Sequence, residues 1–168
     1  NMTKQQEYKG VGPDKEKNFV SAVIYIYNDE ERIRDFLGKI NGVLNANFEN
    51  YQIICVNDAS DDNSLAVIRE IGKSIAGTVI NVVNMSFYQG VELAMNAGID
   101  LSIGDFVFEF DNMVMDYEAE LMMDVYYHSL TGFDIVNAAP QKCGRKSSRL
   151  FYAVFNRYSR SPHPLRTE

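Results

Sequence analysis

The 168-residue chain has no tryptophan, only two cysteines and two histidines, and four prolines. Its imidazoles are His128 and His163, the latter in a closing "SPHPLRTE". That scarcity argues against a histidine-built metal centre or a catalytic triad. Cys55 and Cys143 have none of the spacings of a zinc site. Cys55 lies within the apolar "IICV" and reads as a buried thiol, which points to a reducing cytoplasmic compartment. No apolar run approaches the roughly 20 residues that span a bilayer, and the opening residues lack a signal-peptide pattern. The first apolar segment is followed by "YNDEER" rather than a glycine-rich loop, which argues against the common dinucleotide and P-loop sites.

What is present is an ordinary globular composition, 46% apolar, enough for one domain with a sizeable core. The net charge of -7 is unevenly distributed. From Gln141 onward there are seven basic residues against one acid, so the remainder carries -13. An acidic body disfavours nucleic acid as a partner.

Apolar strands and amphipathic helices alternate along the chain. Residues 1–18 are polar and broken by Gly and Pro, a flexible leader. Strands are expected at 19–27, 51–56, 78–83, 105–110 and 133–138. Helices are expected at 28–44, 60–75 with Ser60 as N-cap, 89–102 and 117–130. The strands are continuously apolar, which predicts a parallel α/β sheet covered on both faces. In such sheets ligands bind beyond the carboxyl ends of the strands. Three of the first four strands reach an acid there, at Asp29, Asp58 and Asp111.

The strand ends carry a resemblance. "VIYIYND" resembles the "VVIPxYNEE" that opens family 2 glycosyltransferases, and "IICVNDASDDNS" resembles their "IIVVDDGSTDGT". "YQGVELAMNAGIDLSIGDFVFEFDNM" is similar to "NxGxxxARNxGxxxAxGxYxxFLDAD". The stretch from "GFDIVNAA" to "AVFNRYS" resembles the branch acting on polyprenyl phosphates, the dolichyl-phosphate mannose synthase type. Four motifs in order, over about residues 19–160, make the likeness specific. It implies the GT-A fold, an α/β nucleotide-diphospho-sugar transferase sandwich, over residues 19–140.

The resemblance also implies chemistry. An acceptor attacks the sugar carbon of a nucleoside-diphosphate sugar with inversion, and a divalent cation, Mg²⁺ or Mn²⁺, held by an Asp-x-Asp motif steadies the leaving diphosphate. Carried over by motif, the nucleotide-sugar-binding residues are Tyr27, Asp29, Val56, Asp58, Asp111 and Asn112, with Asp58 accepting a hydrogen bond from the base. Asp111 is the first half of the metal motif, but Met113 and Met115 stand where the second acid and a Gln belong. Thioether sulfur is a poor ligand for such a hard cation. Glu109 shares a strand face with Asp111 and either reaches solvent, the favoured expectation, or pairs with it as a displaced second carboxylate. Tyr25 replaces a Pro, Asn57 and Ala59 depart from "DDG", and an Arg expected near Pro140 is missing. No catalytic base can be named. Two readings follow. One is a glycosyltransferase donor domain in a longer chain, acting on an acceptor such as a polyprenyl phosphate. The other is a catalytically degenerate relative that binds a nucleotide sugar or a partner.

Residues 141–168 form the basic end. Leu150, Phe151, Val154, Phe155 and Tyr158 recur at helical spacing, flanked by arginines. The pattern predicts a helix that either completes the core or lies on the anionic inner membrane surface.

Overall fold

The computed structural model describes residues 14–75, 77–114 and 118–131, and the backbone of 154–156. Strands β1 (Val20–Ile26), β2 (Tyr51–Asn57), β3 (Ile80–Asn84) and β4 (Phe106–Phe110) are mutually parallel. Between them run α1 (Ile33–Asn47), α2 (Ser64–Ser74) and α3 (Val91–Leu101), and α4 (Leu121–Ser129) follows β4. A short β5 (Val154–Asn156) pairs antiparallel with β4, giving the order β3-β2-β1-β4-β5.

Alternation along β1 divides the core. Ala22, Ile24 and Ile26 join α1, α2 and α4 in the larger cluster, while Val23 joins Ala94 and Met95 of α3 on the opposite face. Both faces are covered, which is why the strand reads as one apolar run. The larger core is rich in aromatic edges: Phe36 meets Phe110, and Phe48 meets both Phe108 and Tyr126. Cys55 is fully buried among these residues, and burial pushes its thiol up to about 12, so it is inert.

Several boundaries differ from expectation. β3 begins at Ile80 rather than residue 78, and as an edge strand it is mostly exposed. α2 begins at Ser64, because Ser60 is engaged elsewhere. Ordered pairing starts within the expected leader: Glu16 bridges to Phe48, and the Tyr126 hydroxyl donates to its carboxylate at 3.1 Å. The helical stripe expected around Val154 is interrupted, since Val154–Asn156 is a strand in register with Phe106–Phe108. Aromatic and β-branched residues suit an edge strand as well as a helix face, and pairing with β4 covers an otherwise open edge. The expected strand at 133–138 and the rest of the basic end lie outside the described residues.

α3 sits close on the sheet because Gly98 has no side chain. A Cβ there would lie 2.5 Å from methyl carbons of both Val23 and Val56. Gly98→Ala should therefore lower unfolding stability in urea by about 1–3 kcal/mol, the usual range for overpacking. A change within about 0.5 kcal/mol would mean that α3 is free to lift from the sheet.

Candidate functional site

The carboxyl ends of β1 to β4 converge on one edge of the sheet. Asp58, just past β2, is fully buried. Its Oδ1 accepts the amide of Gln89 at 2.8 Å, and its Oδ2 accepts the amide of Gly90 at 2.9 Å and the Tyr25 hydroxyl at 3.0 Å. Gly90 precedes α3 in a left-handed conformation, so Asp58 fixes the entry to that helix. Asp58, expected to accept from a nucleobase, has both oxygens engaged by these protein donors. Tyr25, which the sequence marked only as a missing Pro, supplies the third donor. Burial and then the Asp58 carboxylate beside it push its hydroxyl well above the ordinary tyrosine range.

Val56, also expected at the site, has its side chain fully buried against Ala94 and Gly98.

The β1–α1 and β2–α2 loops are tied together. The Asn28 amide donates to Ser60 Oγ at 3.0 Å, and Asn28 Oδ1 accepts the amide of Asp61 at 2.8 Å. The Asp29 amide donates to Ser64 Oγ, the Glu30 amide to Asp62 Oδ2, and the Asn63 amide to Glu30 Oε2. Asn28 and Ala59 both hold positive φ, 53° and 54°. Asn tolerates that region; Ala does not. Ser60 also donates to Asn57 Oδ1 at 2.6 Å, and Asn57 Nδ2 donates to Asn84 Oδ1 at 2.7 Å. This amide network had no sequence signal beyond a run of polar residues at strand ends.

The tied loops border a cleft of about 480 Å³ lined by Asn28, Asp29, Glu30, Glu31, Arg32, Asp61 and Asp62. Five carboxylates against one guanidinium make it a poor seat for phosphate and a good one for hydroxyl donors. Asp29 is partly engaged, bonded to Arg32 at 2.9 Å. Burial is the largest single influence on Asp62 and raises its carboxyl, but the Ser64 hydroxyl and the amides of Glu30 and Ser64 together outweigh it and hold the carboxyl below its ordinary value. Tyr27 stands at the end of β1 with its ring centroid 4.8 Å from that of Tyr88, and Tyr88 is 58% exposed.

At the end of β4, Asp111 and Glu109 line one cavity of about 270 Å³ under α3, with Glu92 and Asn96. The two share a face as their spacing requires. Glu109, expected to reach solvent, is partly exposed, with its Oε1 buried. Burial raises the Asp111 carboxyl above its ordinary value, against the opposing hydrogen bond from Asn112 Nδ2 at 2.7 Å. Asn112 also accepts the Val114 amide through Oδ1, closing a tight turn. Met113 turns into the larger core and is 5% exposed. Among the described residues no three Asp, Glu, His or Cys side chains could hold a metal ion together. Met115 and Pro140 lie outside the described residues.

The sequence signature of Glycosyl transferase family 2 matches residues 21–153. The chain belongs to this family. An uncharacterized glycosyltransferase of Synechocystis is 30% identical over 154 residues, 88% of this chain and 48% of the relative. An undecaprenyl-phosphate 4-deoxy-4-formamido-L-arabinose transferase of Aeromonas hydrophila is 27% identical, over 70% of this chain and 35% of the relative. The chain thus spans half or less of the length of these curated relatives. In three dimensions it is similar to the mannosyltransferase PcManGT of Pyrobaculum calidifontis, solved with GDP-Man and Mn²⁺, at TM-score 0.67 and 17% identity over 89% of this chain and 48% of that one. S. aureus TarS 1–349 with UDP-GlcNAc matches at TM-score 0.56 and 16% identity over 77% and 37%. These likenesses show the GT-A fold expected from the strand-end motifs.

Within this family member, two expectations concern the β2–α2 loop. Asp58→Ala should cost about 3 kcal/mol or more in urea unfolding, because each orphaned buried donor costs roughly 1–3 kcal/mol. Asp62→Asn should cost less than about 1 kcal/mol at pH 7, as befits a partly exposed carboxylate. The Asp62 effect should shrink as the pH falls through its depressed folded-state value, since that stabilisation exists only above it. Equal costs at pH 7 would reduce Asp58 to a turn residue.

Ala59 holds φ 54° where the family resemblance has Gly. Ala59→Gly should raise stability by about 0.5–1 kcal/mol, the relief of left-handed strain less the added chain entropy. A loss of stability on calorimetric melting would show the residue unstrained.

Proposed function

We propose that this chain is the donor-binding part of an inverting glycosyltransferase. It holds a nucleoside-diphosphate sugar at the carboxyl ends of β1 to β4 and transfers the sugar to an acceptor, with a lipid phosphate as the favoured class. The observation that carries this is the set of cross-tied β1–α1 and β2–α2 loops beside the contact of half-buried Tyr27 with exposed Tyr88, in a chain of this family. The undecaprenyl-phosphate transferase relatives support the acceptor class.

Each residue has a physical task in this reading. Tyr27 and Tyr88 offer apolar ring surface to the nucleoside. Asp29 and the acidic cleft accept hydrogen bonds from sugar hydroxyls. Asp111 and Asn112 border the diphosphate end. In the transfer itself, an acceptor oxygen bonds to the anomeric carbon as the bond to the diphosphate oxygen breaks, and the diphosphate leaves with the electron pair. An ionised phosphate acceptor carries no proton to remove, so no general base is required of this chain.

A resident divalent cation does not fit the described donor set. Asp111 alone faces the site from the metal motif, one of its oxygens is already bonded to Asn112, and Met113 is in the core. That arrangement equally supports the second reading, a relative that binds a nucleotide sugar without turning it over.

Titration calorimetry with UDP and GDP, with and without Mn²⁺, separates these ideas. One of the nucleotides should bind, and Mn²⁺ should change its affinity by less than about tenfold, because a single carboxylate with diphosphate oxygens and waters holds the ion loosely. Tight Mn²⁺ binding without nucleotide would show the ligand set misjudged, and Glu109→Gln would then reveal whether Glu109 completes it. No binding of either nucleotide would remove the donor-binding reading.

A further inference from the structure

β3 is the outermost strand at one end of the sheet, and among the described residues it pairs with β2 alone. The other end of the sheet is covered by β5. Two bonds fix which backbone groups of β3 face β2. The Ile53 amide donates to the Val79 carbonyl, and the Met85 amide donates to the Asn57 carbonyl. Backbone groups alternate in direction along a strand, so Val79, Asn81, Val83 and Met85 turn theirs toward β2. Ile80, Val82 and Asn84 then aim their N–H and C=O groups away from the sheet. Such an edge is a template for another strand unless charge, proline or a bulge blunts it. Residues 74–91 hold no Asp, Glu, Lys, Arg or Pro and form the longest run in the chain without a charge, and the register with β2 is unbroken. The exposed side chains here are apolar as well, Val79 at 63% and Val82 at 38%.

We propose that β3 pairs antiparallel with β3 of a second copy of this chain, about a two-fold axis at Val82, so that two sheets join into one. Charge and symmetry choose this occupant. The body of the chain is acidic, so two copies repel wherever their charges meet, and the uncharged edge is where that repulsion is least. A strongly charged partner would find no group of opposite sign along it. A two-fold axis turns identical strands antiparallel and sets the patch against itself. The three outward residues are symmetric about Val82. With Val82 opposite its own counterpart, Ile80 lies opposite Asn84 of the second copy, and every outward N–H and C=O of the three falls in a hydrogen-bonded pair. The two Val82 side chains meet at the axis and cover each other. Five residues a side make a small contact, so the dimer dissociates on dilution.

Sedimentation velocity of the whole chain over about a hundredfold range of concentration should show a reversible monomer–dimer equilibrium. Val82→Lys sets two like charges side by side at the axis and should weaken association by about tenfold or more. The side chain is exposed, so the melting temperature of the dilute variant should stay near that of wild type. Val82→Glu alone should weaken association in the same way. A mixture of Val82→Lys and Val82→Glu chains should associate again, because only a contact of residue 82 with its own counterpart pairs the opposite charges. If Val82→Lys melts far below wild type, Val82→Pro replaces it. That change removes an N–H that points away from β2, which edge strands tolerate, and it too should dissociate the dimer. A wild type that stays monomeric throughout overturns the proposal, as does a dimer that survives these substitutions. Loss of the dimer without rescue on mixing overturns the axis at Val82.

Discussion

The buried carboxylate of Asp58 is the constraint from which the rest of the strand-end edge follows. A carboxylate withdrawn from water is costly unless donors surround it. Here three donors come from two places: the Tyr25 hydroxyl on β1, and the amides of Gln89 and Gly90 at the entry to α3. Satisfying one side chain therefore fixes β1, β2 and α3 relative to each other. Gly98 continues the seating one helix body further, against Val23 and Val56. Tyr88 directly precedes Gln89, so the same clamp sets its ring against Tyr27. The Tyr27–Tyr88 contact thus depends on an acid that is itself fully buried.

On the other side of Asp58 the loops are held by polar ties rather than packing. Asn28, Ser60, Asp62 and Ser64 exchange hydrogen bonds across two loops, with most donors supplied by the backbone. Backbone donors cannot rotate away, so the loops are preorganised without a bound partner. Preorganisation lowers the ordering cost of binding. It also tolerates the strain at Ala59, since a residue in a disfavoured conformation persists only where its surroundings over-determine it.

The sheet was legible because its strands are apolar on both faces, and the order of helices was legible from amphipathic spacing. Motif order made the family legible as well. Local roles were less so. Asp58 and Asp62 look alike in "NDASDDN", yet one is enclosed and the other is partly exposed; only the return of α3 to the sheet distinguishes them. Ser60 looked like a helix cap because a capping residue and a loop-bridging hydroxyl have the same sequence signature. Val154 and Phe155 fitted a helical stripe, but β4 had an open edge, and pairing with it is a tertiary fact that no local spacing encodes. The Asn57–Asn84 contact joins residues 27 positions apart through strand register, which is equally invisible in the sequence.

The two ends of the strand edge have diverged in character. Over β1 to β3 the polar groups are bonded to each other in a network. Over β4 the residue at the resemblance's second acid position lies in the core instead. Met113 occupies the place of an acid and adds apolar burial to the larger cluster, a gain in stability at the position where a ligand would face the diphosphate. Asn112 closes the turn and ties up one oxygen of Asp111, whose carboxyl burial already disfavours charge. Each change makes the turn after β4 a better structural element and a weaker electrostatic one. Stabilising the charge on a departing diphosphate requires fixed positive charge where that charge develops. Holding a nucleoside requires only shape, ring surface and a few aimed hydrogen bonds. In the proposed donor-binding reading, the pattern of replacement therefore weighs on the leaving-group half of the site and spares the recognition half, so that reading separates donor affinity from turnover.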